Sequence, residues 1–66
     1  MFELMNEKIA DRIIPCLTGG GPETRAAKAV RNYRKRPSDE GAAEALAALN
    51  KLDQNKQTEL RAVARL

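Results

Sequence analysis

The stretch PETRAAKAVRNYRKR, residues 22–36, decides the fold that we predict for this chain of 66 residues. Four apolar residues recur in it at helical intervals: Ala26, Ala29, Val30 and Tyr33. Positions i, i+3, i+4 and i+7 share one face of an α-helix, so this stretch predicts an amphipathic helix. Pro22 suits the first helical position, and Pro37 cannot continue the helix. We therefore expect a helix over 22–36.

The segment before this stretch also has helical periodicity. Its apolar residues fall on one face of a helix over 2–14, and they are Phe2, Met5, Ile9 and Ile13. Pro15 lacks a backbone donor and disfavours helical geometry in the preceding residue, so it should end or kink this helix. The glycines and proline of Thr18–Pro22 then predict a break.

The C-terminal part of the chain predicts an αα-hairpin. Ser38 or Asp39 can cap a third helix over 40–51, and Asp53 can cap a fourth over 54–66. A single helix over 40–66 is the alternative, because no strong breaker lies between its halves. We favour the hairpin since a polar run interrupts the apolar repeat there.

These patterns predict one small domain, residues 1–66, that is all-α: a compact bundle of three to four short helices. Such a chain buries only ~60% of the surface of its unfolded state. Cys16 is the single cysteine, and the aromatic residues are Phe2 and Tyr33. With so few large side chains and no possible intrachain disulfide, we expect self-association as a homodimer. The predicted dimer seam, the surface through which two copies would pack, is the apolar face of the first helix. It consists of Phe2, Met5, Ile9 and Ile13.

The composition argues against catalysis and against a bound cofactor or metal. Histidine is absent and Ser38 is the one serine, so a serine–histidine pair cannot form. One cysteine without histidine cannot supply the usual zinc ligands. The glycines of Gly19–Gly21 precede a helix, but Pro-Glu-Thr follows them instead of the Gly-Lys-Ser/Thr of a phosphate-binding loop. We expect a connector there and no enzyme activity.

Charge is the feature that points to a function. Six of the twelve basic residues lie within residues 25–36, which carry +6 and no acidic residue, while the rest of the chain carries −3. A cationic helix face can neutralise the phosphates of nucleic acid. The predicted binding residues are Arg25, Lys28, Arg31, Asn32, Arg34, Lys35 and Arg36. Among them, Arg31, Asn32 and Arg34 could contact base edges.

Two other interpretations of the basic face remain open. The face could dock on an acidic protein, which would make the chain an adaptor or inhibitor of bacterial or phage origin. It could also be a solvated face paired with Asp39, Glu40 and Glu44 of the next helix. No long apolar run or export signal is visible, so we expect no membrane association and a cytoplasmic location.

Overall fold

The computed structural model describes residues 2–65, which form four α-helices without a strand among them. The helices are α1 (Glu7–Ile13), α2 (Pro22–Lys35), α3 (Asp39–Leu49) and α4 (Gln54–Ala64). A short 3-10 helix, Ile14–Cys16, follows α1 and contains Pro15, as expected for a proline at a helix end. The all-α prediction is confirmed.

The predicted start of the first helix at residue 2 is wrong, because α1 begins at Glu7. Asn6 caps the helix in an extended conformation, and its side chain accepts a hydrogen bond from the backbone N–H of Ile9. Upstream, the Phe2 backbone is bound by Asn50. Phe2 N–H donates to Asn50 Oδ1 at 2.6 Å, and Asn50 Nδ2 donates to the Phe2 carbonyl at 3.0 Å. These polar contacts hold the segment outside the helix despite its apolar spacing.

The prediction of two separate helices, α3 and α4, is confirmed, and the alternative of one long helix is wrong. The two helices do not pack on each other as a hairpin, because α3 packs on α2 and α4 packs on α1. Ser38 caps α3 by accepting from Gly41 N–H at 3.0 Å, and Asp53 caps α4 by accepting from Lys56 N–H at 2.7 Å. The turn between them is closed by Gln57, whose buried Nε2 donates to the carbonyls of Leu52 and Asn50. A buried amide that satisfies two carbonyls fixes the conformation of this connection.

The core lies between α2 and its neighbours, since α2 packs against both α1 and α3, and α1 contacts α4. The largest fully buried side chains are Ile13, Val30, Leu49 and Leu60. On α2, Ala26 and Ala27 are also buried, and these small side chains let the adjacent helices approach closely.

The face predicted as a dimer seam belongs to this core. Phe2, Met5 and Ile13 are 6%, 7% and 0% exposed, and Ile9 is partly buried against them. These side chains are therefore not available to a second copy of the folded chain. The expectation of self-association stays a prediction without an assigned surface.

Gly21 sets the start of α2, and replacing it should destabilise the fold. Its φ of 65° and ψ of −125° are values that only glycine adopts readily. We expect Gly21→Ala to lower the free energy of unfolding by about 1–3 kcal/mol. Gly20→Ala is the matched control, since an added Cβ there meets no heavy atom within 4 Å. Urea denaturation of both variants checks this, and equal midpoints would contradict the assigned strain.

Candidate functional site

Most of the predicted basic residues form an open cationic face on α2. Arg25, Lys28, Arg31 and Lys35 are exposed along the helix, and Arg36 is exposed at its C-terminal cap. None of these five side chains makes an ion pair or hydrogen bond with another described residue. We call these five residues the basic face.

The acidic residues at the start of α3 do not neutralise the basic face. Asp39, Glu40 and Glu44 are exposed, and no ion pair joins them to any cation within residues 2–65. The alternative in which these carboxylates pair with the cations of α2 is therefore not the arrangement in this structure. Five uncompensated positive charges remain accessible to a partner.

Arg34 is separate from this face although it lies in the same run of sequence. Its Nη1 lies 2.6 Å from Glu7 Oε1 and its Nε lies 2.7 Å from Asp11 Oδ1, both on α1. The hydrogen bond with Asp11, together with the charges of Asp11 and Glu7, raises the pKa of the Arg34 guanidinium. Arg34 thus joins α1 to α2, and its charge is compensated within the fold.

The helical order of the side chains gives the basic face two flanks. Successive residues of an α-helix are rotated by about 100°. Arg34 marks the side of α2 that faces α1, and Ala29 marks the side that lines the groove beside α3. Lys28 and Lys35 lie midway between these two sides of the helix. Arg31 lies toward α1 and Arg25 lies toward α3, and Asn32 lies between Arg25 and the two lysines. The Asn32 side chain is exposed and makes no hydrogen bond with a described residue.

A groove of about 630 Å³ runs between α2 and α3 beside the basic face. Its walls include the small apolar side chains of Ala29, Ala47 and Ala48. Arg25 and Glu44 also line it, so charges of both signs border an apolar surface. The sequence did not predict this groove, because it depends on how closely two helices approach each other.

The glycine loop before α2 is occupied by the protein's own carboxylate. Gly19 N–H donates to Glu23 Oε1 at 3.2 Å, and the same oxygen lies 3.4 Å from Lys56 Nζ. Lys56 Nζ also lies 2.8 Å from Glu59 Oε2. Its hydrogen bonds, mainly the one to Glu59 and also the one to Glu23, raise the pKa of the Lys56 ammonium. This arrangement fits the predicted connector, because a phosphate would have to displace Glu23.

Other kinds of site have little support in the described part of the chain. No group of three or more metal-ligating side chains lies together in it, and none of its helices is long and apolar enough to cross a bilayer. Tyr33 and Phe2 are buried, so neither presents its ring as a stacking surface. Cys16 is a free thiol, partly buried against the core.

Comparison of the chain with protein-family models, with curated proteins and with solved structures gives no match. Function is therefore inferred from the residues of this chain alone.

The different surroundings of Arg34 and Lys35 can be tested by stability. Arg34→Ala removes the contacts of α2 with Glu7 and Asp11 and should lower the urea midpoint slightly, since exposed ion pairs contribute little. Lys35→Ala should leave the midpoint unchanged because this side chain has no described partner. The difference should disappear at high salt, where exposed charges are screened. Equal effects of the two substitutions at low salt would contradict the assigned role of Arg34.

Proposed function

We propose that this chain is a small non-enzymatic protein that binds nucleic acid through the basic face of α2. The proposal is supported above all by one observation: Arg25, Lys28, Arg31, Lys35 and Arg36 are exposed and unpaired within the described chain. Uncompensated cations on one helix can approach the phosphates of a nucleic acid. Partner binding would then supply the negative charges that the fold does not.

The physical basis of this binding is the release of counterions from the phosphate backbone. Each neutralised phosphate contributes about −0.9 to the slope of log K against log salt concentration on duplex DNA. If all five cations contact phosphates, the slope would be about −4.5. A slope near zero would mean that the charges of α2 take no part in binding.

A double charge reversal on the basic face tests the proposal. Arg31→Glu combined with Lys35→Glu should abolish binding to a duplex at low salt, because it replaces two attractive charges with repulsive ones. Lys8→Glu combined with Arg65→Glu is the matched control, since both residues are exposed, lie outside α2 and give the same change in net charge. The control should retain most of its affinity, measured by fluorescence anisotropy with a labelled duplex.

Two outcomes of this experiment would contradict the proposal. Absence of binding by the unmodified protein at low salt would exclude a nucleic-acid function for α2. Equal loss of affinity in both double variants would mean that net charge matters and that the basic face does not.

A second candidate function, docking on a protein, is favoured by the groove between α2 and α3. Its apolar alanine walls and its border of Arg25, Lys51 and Glu44 combine features of a protein interface: an apolar centre with a charged rim. Under this hypothesis the chain acts as an adaptor or inhibitor, in bacteria or phage, whose partner carries acidic side chains that meet the basic face.

The two functions respond differently to a substitution in the groove. Ala47→Leu should fill part of the groove and weaken capture of a protein partner from nuclease-treated lysate, whereas nucleic-acid affinity should be unchanged. Ala62→Leu, on an exposed position of α4, is the control. Capture that Ala47→Leu does not weaken would argue against docking in this groove.

The setting that we propose is the cytoplasm, because Cys16 is a free thiol and a reducing compartment preserves thiols. Self-association as a dimer also remains part of the proposal. Since the first predicted seam is buried, a dimer would have to use another surface, and sedimentation at several concentrations would detect it.

A further inference from the structure

We infer that the nucleic acid bound by this protein is B-form duplex DNA, and that α2 lies in its major groove with Lys28, Asn32 and Lys35 toward the base edges. This inference rests on the proposed function and specifies its ligand. It follows from the distribution of exposed side chains around α2 and from the absence of aromatic rings on this face.

Proteins that bind single-stranded nucleic acid stack its bases on aromatic side chains. The two aromatic residues of the chain, Phe2 and Tyr33, are 6% and 8% exposed and belong to the core. A surface of cations without rings suits a ligand whose bases are already stacked, which is a duplex.

Lys28, Asn32 and Lys35 occupy positions i, i+4 and i+7, so they follow one another along the outward side of α2. Arg31 lies on the α1 side of this line and Arg25 lies on the α3 side. A helix in a groove presents its outward side to the bases and its two flanks to the two phosphate backbones. On α2, polar groups occupy the outward side and a cation occupies each flank, which matches this division between bases and backbones.

The length of α2 can be compared with the dimensions of nucleic-acid grooves. At 1.5 Å per residue, the 14 residues of α2 span about 21 Å. The distance from Lys28 to Lys35 is then about 10 Å along the axis, which covers about three base-pair steps. The major groove of B-DNA is about 12 Å wide and admits an α-helix, whereas the major groove of A-form RNA is too narrow. These dimensions favour DNA over RNA.

Asn32 has a side chain that can hydrogen-bond to a base edge. Its exposed amide has no hydrogen-bond partner within residues 2–65, and an asparagine amide can bind N6 and N7 of adenine together. Lysine ammonium groups on either side of it can donate to O6 and N7 of guanine. Glu44 lines the same groove between α2 and α3 as Arg25, so the α3 flank should bind its backbone more weakly than the α1 flank does.

The test compares three duplexes of one sequence at one low salt concentration. They are unmodified DNA, RNA, and DNA whose pyrimidines carry a bulky 5-substituent that fills the major groove without changing the phosphate charge. We expect the unmodified DNA to bind roughly tenfold more tightly than the other two. Equal affinity for all three, still abolished by Arg31→Glu with Lys35→Glu, would overturn the inference and leave the proposed function standing. No binding to any duplex would overturn both.

The role of Asn32 has its own measurement. Selection from a random DNA duplex pool should yield a preferred sequence, on which Asn32→Ala raises Kd roughly 5- to 140-fold and Asn55→Ala has no effect. Asn55 is exposed on α4 and serves as the matched asparagine. Both variants should bind unrelated DNA as the unmodified protein does. A pool without a preferred sequence, or an equal loss on all sequences, would overturn the assignment of base contacts to α2.

Discussion

The close packing of α2 against two other helices is the constraint on which the rest of the structure depends. Ala26 and Val30 are completely buried and Ala27 nearly so, which means that α2 is covered along a stripe wider than one neighbour would produce. With two aromatic residues in the chain, small side chains buried between the helices supply apolar burial that large side chains would otherwise give. Once this stripe is covered, the basic face remains exposed to solvent, whereas Arg34 and Glu23 pair with side chains of α1 and α4.

Polar contacts at the ends of the helices help the small core to specify the fold. Asn50 holds the backbone of Phe2, and Gln57 holds the carbonyls of Asn50 and Leu52, so one connected set of amides joins the N-terminal segment to the turn between α3 and α4. Hydrogen bonds of this kind specify one arrangement among several that a core of small residues would accept. The chain thus relies on a few directional contacts where a larger domain would rely on side-chain shape.

The sequence predicted the elements whose ends are marked by local chemistry. Three helix ends are marked by residues that act on their immediate neighbours: Pro22, Pro37 and Asp53. At those ends, each helix begins or ends within one or two residues of the expected position. The start of α1 was wrong because Asn50, which binds Phe2, lies 48 residues away along the chain. No periodic pattern carries information about such a contact.

For the candidate site, too, local features of the sequence were predictable and contacts between helices were not. Composition identified the cations of α2, and helical spacing placed most of them on the outward side. The pairing of Arg34 with Glu7 and Asp11 depends on how α1 crosses α2, so it could not be derived from spacing within one helix. The same holds for the groove beside α3.

The separation of charge described above has a consequence at distances longer than any contact. Unpaired cations lie on α2, while Asp39, Glu40 and Glu44 are exposed at the start of α3, so a net charge of +3 accompanies an uneven distribution of charge over the surface. A molecule of this kind experiences a torque in the field of a polyanion before it touches it. Diffusional encounters would then be biased toward orientations in which α2 arrives first, and salt would weaken that bias by shortening the range of the field.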